Sequence, residues 1–271
     1  MIRLIASDLD GTIIDGRNHC DPRIPKILNH YRGQGVKFAV CSGRPIDSVL
    51  PLLEGWGLDE VSDYIIGSNG GEVLERSTGK CQNVYMLEPD LLREVIDLYE
   101  PLGLIPSLYD GMTLYVGKIS EETKEVARRI GVNCVEGNIR ELTTKPELKE
   151  MFIVKPEDME KVERFAAEHP DPRYTGYKTA VDLFEITHTL LAKDVGIQII
   201  GSMMKITPNE MMAFGDTTND VRMLEYVRYG IAMENGTDDA KAVAYAIAPS
   251  VDECGFARYL EEHLTDRLEL K

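Results

Sequence analysis

The sequence predicts an α/β protein, a parallel sheet wrapped in helices and interrupted by an inserted α+β domain. Three observations carry that reading. Short apolar strands alternate with helical stretches from residue 1 to about 75, and the same rhythm returns near residue 189. The segment between, 81–187, mixes helices with a hairpin instead. The chain has 271 residues, 43% of them apolar, enough for one large domain or two ordinary ones.

The elements follow in order. Residues 3–7 read as a buried strand, 24–33 as a helix and 36–41 as a second strand. The helix at 45–56 opens on a proline, whose fixed φ and missing N–H suit a first turn. Residues 64–66 form a third short strand that ends at Ser68-Asn69-Gly70-Gly71. In the insert, helices are expected over 91–99, 121–130 and 156–169. The helix at 121–130 carries acids first and arginines last, which matches its dipole. Residues 105–109 and 113–117 suggest a hairpin around Asp110-Gly111, and 151–154 another strand. Residues 181–186 alternate like a strand with one wet face. After the insert come a helix at 190–204, a strand at 211–214 and a helix at 219–227. A strand at 230–233, a helix at 238–243, a strand at 246–248 and a helix at 256–263 complete the pattern. No internal repeat is visible.

Composition excludes several functions. Thirty basic against 46 acidic residues give a net charge of −16. Such a surface disfavours nucleic acid and anionic membranes. It also repels a phosphorylated substrate, so a site for one needs local positive charge. Five scattered cysteines without a C-x-x-C pair argue for free thiols in a reducing cytoplasm, not for a disulfide framework or a zinc site. Charge arrives too soon after Met1 for a signal peptide, and no apolar run reaches membrane-spanning length. Asn235-Gly236-Thr237 fits a glycosylation acceptor by chance.

The most telling motif is Asp8-Leu9-Asp10-Gly11-Thr12, at the end of an apolar strand. Side chains i and i+2 of a strand share a face, so Asp8 and Asp10 reach the same space. Open α/β sheets bind ligands at the carboxyl ends of their strands. Two close carboxylates call for a cation or a shared proton, and can hold Mg²⁺ while supplying a nucleophile and an acid. A solvated turn is the plainer reading. A calcium loop fails, because its sixth and twelfth positions would be Ile13 and His19.

Other candidates lie at comparable places. In Cys41-Ser42-Gly43-Arg44-Pro45 a hydroxyl and a glycine precede a helix N-terminus, which suits a phosphate oxygen as well as an ordinary cap. Asp216, at the end of a Met-rich strand, and Asp220, about one helical turn on, can bind or brace a hard cation. Capping and dipole complementation are the alternative, stronger for Asp220. Lys193 opens a largely apolar helix, where a cation opposes the dipole; contact with a phosphate and a carboxylate would explain it. The five histidines lack ligand spacing, the methionines read as core fillers, and Gly55-x-Gly57 is no dinucleotide fingerprint.

Asp8-Leu9-Asp10-Gly11-Thr12, Ser42-Gly43-Arg44-Pro45, Lys193 and Gly215-Asp216-x-x-Asn219-Asp220 together resemble, in order, the four motifs of the haloacid dehalogenase (HAD) superfamily of phosphohydrolases. The long insert resembles the C2-type cap of its Cof-like branch, subclass IIB. Ser68-Asn69-Gly70-Gly71, Gly230-Ile231-Ala232-Met233-Glu234-Asn235 and Asp252-Glu253-Cys254-Gly255 match as well, so the resemblance covers essentially the whole chain. One departure is Thr217-Thr218, where relatives often carry glycine first.

The resemblance implies a Rossmann-like core at 1–80 and 188–271, a cap at 81–187 that sets specificity, and a Mg²⁺-dependent phosphatase of small organic phosphate monoesters. It implies that Asp8 attacks phosphorus to give an aspartyl phosphate and that Asp10 serves as acid, then base. Mg²⁺ would be held by Asp8, Asp216 and the backbone carbonyl of Asp10, with Asp220 bracing from outside. Ser42, Gly43, Lys193 and Asn219 would hold the phosphoryl group; Arg44 is a candidate substrate contact because it adjoins the phosphate loop. In the insert, Tyr109, Lys118 and the stretch Arg173, Tyr174, Tyr177 and Lys178 are candidate leaving-group contacts, although the stretch also reads as an ordinary polar turn. The substrate could be a sugar phosphate, phosphoglycolate, a nucleotide or a cofactor phosphate, and the protein a monomer or homodimer. A phosphotransferase or phosphomutase would use the same residues. A non-enzymatic metabolite sensor would need neither Asp10 nor the insert.

Overall fold

The structure, a computed structural model, describes residues 1–111 and 113–263. In chain order the elements are β1 (Leu4–Asp8), α1 (Arg23–Arg32), β2 (Lys37–Cys41), α2 (Ile46–Gly55), β3 (Tyr64–Gly67), β4 (Glu72–Glu75) and β5 (Lys80–Asn83). There follow α3 (Pro89–Tyr99), β6 (Ile105–Asp110), β7 (Thr113–Val116), α4 (Glu121–Ile130), β8 (Asn133–Glu136), α5 (Ile139–Leu142), β9 (Lys149–Ile153), α6 (Met159–Glu168), β10 (Tyr174–Ala180) and β11 (Leu183–His188). The chain returns with α7 (Lys193–Met204), β12 (Met211–Gly215), α8 (Val221–Tyr226), β13 (Tyr229–Met233), α9 (Asp238–Val243), β14 (Ala246–Ala248) and α10 (Gly255–His263). Met1–Val84 and the return segment from Ala192 form one compact unit, and Tyr85–Leu191 forms another.

The first unit is an α/β sandwich around an eight-stranded sheet of order β14-β13-β12-β1-β2-β3-β4-β5. The six strands from β14 to β3 run parallel, and β4 and β5 turn back antiparallel. The central strands are apolar on both faces because helices cover both. Ile5, Phe38, Val40 and Phe214 pack with residues of α1, α2 and α10. Leu4, Ala6, Ala39 and Ala213 pack with residues of α7, α8 and α9. Each such Leu, Ile or Phe contributes about 1.5–3 kcal/mol through burial. Alternation along β1 puts Asp8 on the face of Leu4 and Ala6, toward α7 and α8.

The second unit holds a six-stranded sheet of order β10-β11-β9-β6-β7-β8, antiparallel except for β7–β8. Residues of α3 and α6 pack on Phe152, Phe184 and Ile186 of one face, and α4 on Leu114 and Val116 of the other. A reciprocal cap between Ser120 and Thr123 starts α4, and left-handed Gly131 ends it.

Several expectations need correction. The hairpin β4–β5 belongs to the first unit's sheet, so the units divide at 84/85 and 191/192, four residues beyond 80/81 and 187/188. The polar stretch at 173–178 is mostly strand β10, paired with β11 and bulged between Lys178 and Ala180. The last strand of the insert begins at Leu183, not at 181, and the helix after the insert at Lys193, not at 190. The helix expected at 219–227 is a short 3₁₀ turn, Thr218–Asp220, followed by α8. No helix among the described residues is long and apolar enough to cross a membrane.

Candidate active site

Four loops meet at the carboxyl edge of the parallel sheet. Asp8 ends β1, between β2 and β12, opposite Cys41 in register. The turn after β1 is tight because Gly11 adopts φ +90°, and a Cβ there would lie 2.3 Å from an Asp216 carboxylate oxygen. Asp216 follows the last residue of β12, Ser42 follows β2, and Lys193 is the first residue of α7.

Lys193 is 1% exposed, and its Nζ donates to Asp8 Oδ1 at 2.5 Å and to Asp220 Oδ1 at 2.6 Å. The other Asp220 oxygen accepts from the backbone N–H groups of Asp216 (2.9 Å) and Thr217 (3.0 Å). The Thr12 hydroxyl donates to Asp216 Oδ1 at 3.0 Å. Asp8, Asp216 and Asp220 each offer an oxygen within 4.8 Å of the others.

Charge in this pocket is out of balance. Burial raises the Asp8 carboxyl to about 8, with Lys193 opposing the shift and Asp220 and Asp216 adding to it. Burial, reinforced by Asp220, raises Asp216 to about 6. Burial alone would lower Lys193, but Asp8 and Asp220 outweigh it and hold the ammonium above its ordinary value. With all three carboxylates ionised, one ammonium would leave two negative charges uncompensated. A divalent cation supplies that balance, and an all-oxygen set suits a hard one such as Mg²⁺. Both Asp220 oxygens are already engaged, so Asp8 and Asp216 are the two acids of the cluster that could offer oxygens to such an ion.

The remaining candidates fall nearby or elsewhere. The exposed Asp10 carboxylate is not one of the three clustered; the Arg44 guanidinium grips it at 2.6 and 2.9 Å. The Asp10 carboxylate thus pairs with Arg44 and does not join the acidic cluster. Ser42 is buried, and its Oγ accepts the Arg44 N–H at 3.1 Å. Asn219 is exposed, with Nδ2 donating to Asn69 Oδ1 at 3.1 Å. A Cβ on Gly43 would press on that same Asn69 oxygen at 3.1 Å. In the second unit Arg173 is committed to Asp171 and Glu94, and Tyr174 is buried among core side chains. Lys118 lines a groove of about 870 Å³ with Asn138, Arg140 and Phe152.

Sequence reasoning missed the supports. Asn235 Nδ2 donates to the Gly11 carbonyl at 2.8 Å, and its Oδ1 accepts from the Val251 N–H at 2.9 Å. The Thr237 N–H donates to the Asp216 carbonyl at 2.8 Å. The tripeptide read as a chance glycosylation signal thus braces the loops of Gly11 and Asp216. Its position just past the end of a buried strand, Tyr229–Met233, was an available clue.

The family model of haloacid dehalogenase-like hydrolases matches residues 5–260. A Bacillus subtilis protein provisionally named a phosphatase, YxeH, is 30% identical over 97% of this chain and 98% of its own. The crystal structure of TM0651 from Thermotoga maritima superposes with a TM-score of 0.86 at 24% identity, covering 98% of this chain and 99% of that one. The HAD subclass IIB sugar phosphatase BT4131 does so with a TM-score of 0.78 at 20% identity, over 96% and 98%.

Proposed function

Because this chain belongs to the haloacid dehalogenase-like hydrolases, we propose that it is a Mg²⁺-dependent phosphatase of small organic phosphate monoesters, working through an aspartyl phosphate on Asp8. The supporting observation is the meeting of Asp8 with Lys193, Asp216 and Asp220, residues up to 212 positions apart in sequence, around one buried point.

A carboxylate repels a phosphate dianion, so attack needs positive charge at the site. Lys193 supplies one charge. Mg²⁺, held by Asp8 and Asp216, would neutralise phosphoryl oxygens and screen the remaining acids. An Asp8 oxygen then forms a bond to phosphorus while the ester P–O bond breaks. The leaving oxygen takes its proton from Asp10. In the second half, Asp10 takes a proton from water as the water oxygen attacks phosphorus, the Asp8–phosphorus bond breaks, and inorganic phosphate departs. Arg44, which grips Asp10 and so lies beside it, would be within reach of a substrate oxygen. The Ser42 hydroxyl, the Gly43 backbone and Asn219 would orient the phosphoryl group.

The test is phosphate release from a panel of sugar phosphates, phosphoglycolate, nucleotides and cofactor phosphates with Mg²⁺, beside Asp8→Asn. The wild type should release phosphate with water as the only acceptor, and Asp8→Asn should lose turnover while keeping its fold. Substantial turnover in pure Asp8→Asn protein would sink the nucleophile assignment.

A further inference from the structure

The loop Ser68–Gly71 after β3 stands outside the roles assigned above, yet it touches three of the four active-site loops. Ser68 and Asn69 both adopt left-handed backbone, with φ of +48° and +53°, at a strain on the order of 1 kcal/mol each. The strain brings contacts. The Ser68 N–H donates to the Arg44 carbonyl at 2.9 Å, and the Asn69 N–H to the Ser42 carbonyl at 3.1 Å. Glu72 Oε2 ties this loop to the start of α2, accepting from the Ser68 hydroxyl at 2.7 Å and the Ile46 N–H at 3.1 Å. Gly70 runs so close to the chain before Lys193 that a Cβ would sit 2.1 Å from the Ala192 carbonyl oxygen.

Asn69 is the key contact. Its Oδ1 accepts from Asn219 Nδ2 at 3.1 Å, while the Thr217 hydroxyl donates to Asn219 Oδ1 at 2.7 Å. The Asn219 amide is thus oriented from both ends. Asn219 is exposed and sits on a 3₁₀ turn, so nothing in its own packing would fix it.

We propose that Asn69 is a positioning residue for the phosphoryl site: it holds the Asn219 amide and, through its backbone, the Ser42 loop in the geometry that receives the phosphoryl group. This deepens the phosphatase reading and rests on the phosphoryl role given to Asn219. A left-handed strained asparagine retained for packing alone would be relieved by glycine at no loss. A positioning residue pairs that relief with lost catalysis.

The test is a cycle of Asn69→Gly, Asn219→Ala and the double variant, assayed on p-nitrophenyl phosphate with Mg²⁺, with melting temperatures for each. Asn69→Gly should melt no lower than wild type, lose about tenfold in kcat and change KM by less than about threefold. The double variant should be no worse than the weaker single, because both act through one amide. Wild-type kcat in Asn69→Gly, losses that multiply in the double variant, or a fall in melting temperature that accompanies the lost rate would each overturn the proposal. If the wild type cleaves no phosphomonoester, the phosphatase reading fails on its own. The same cycle, read by calorimetry as the affinity for inorganic phosphate, then still decides whether Asn69 and Asn219 are coupled.

Discussion

Each unit buries acids in its interior, and the two treat them differently. At the carboxyl edge of the first sheet, Asp8 and Asp220 share the ammonium of Lys193, and Asp216 is braced by Thr12. In the second sheet Glu150 of β9 is fully buried, and neither carboxylate oxygen has a hydrogen-bond partner. Burial pushes the Glu150 carboxyl well above its ordinary range, with the Ser107 backbone N–H, which falls short of hydrogen-bond geometry, opposing and Glu147 adding to the shift. Desolvation is common to both places. The difference is the cation, which opposes the rise at Asp8 and Asp216 and gives the buried acids a partner, while an acid without one is pushed further toward the neutral form as part of a core.

Removing the shared cation should break the contrast most sharply. In Lys193→Met the two carboxylates lose their partner, and the site comes to resemble that of Glu150. The expected loss is about 10²–10³-fold in kcat, with about 3 kcal/mol of folding stability by denaturant titration. A variant with wild-type turnover would remove Lys193 from the site.

The second expectation concerns protons and metal. Asp8 and Asp216 titrate in the fold at about 8 and about 6, both above the ordinary 3.8. The folded state therefore binds these protons more tightly than the unfolded chain. The stability they give is complete below about pH 4 and is lost as pH rises through 6 and then 8. Mg²⁺ competes for the same oxygens, so its stabilising effect should grow across that window. In EDTA the melting temperature should fall from pH 5 to pH 8, and excess Mg²⁺ should flatten the fall. Carboxylates held low, such as Asp63 between Arg32 and Lys37, act below this range and do not mask it. A Mg²⁺ effect that shrinks with rising pH would contradict the assignment of the cluster.

The same contrast explains what could be read from the sequence. The βαβ rhythm of the first unit was legible because strands such as Leu4–Asp8 and Met211–Gly215 are buried on both faces and therefore apolar throughout. The hairpin of Glu72–Glu75 and Lys80–Asn83 was not, because a strand at a sheet edge needs few apolar side chains. The stretch 173–178 reads as a polar turn or a contact site for the same reason: most of it belongs to Tyr174–Ala180, a polar, bulged edge strand. At the site, the acids at strand ends stood out by position, since a charge just after an apolar run is conspicuous. The partner of Lys193 did not, because its two contacts lie 185 and 27 residues away and only the folded sheet brings them together. Asn69 was visible as part of a motif, but its role depends on a left-handed backbone that side-chain patterning does not encode.

Glu150 offers the smallest effect and the cleanest check on the contrast. It lies opposite Ile186 in the ladder between β9 and β11, with Phe152 on the same face of its strand. Glu150→Gln keeps the shape and removes the titration. Because the Glu150 carboxyl is raised in the fold, its contribution to stability is full below about pH 4.5 and declines as pH rises. At pH 5 the variant and wild type should differ by less than about 1 kcal/mol; by pH 8 the variant should be the more stable by about 1–2 kcal/mol. Mg²⁺ should leave that difference untouched, since no cation belongs there, whereas it should reshape the pH dependence arising from Asp8 and Asp216. Denaturant titrations at pH 5 and pH 8, each with EDTA and with Mg²⁺, separate the two. A difference between variant and wild type that responds to Mg²⁺, or that stays constant with pH, would mean that Glu150 is charged in the fold and that burial without a partner does not by itself keep an acid neutral here.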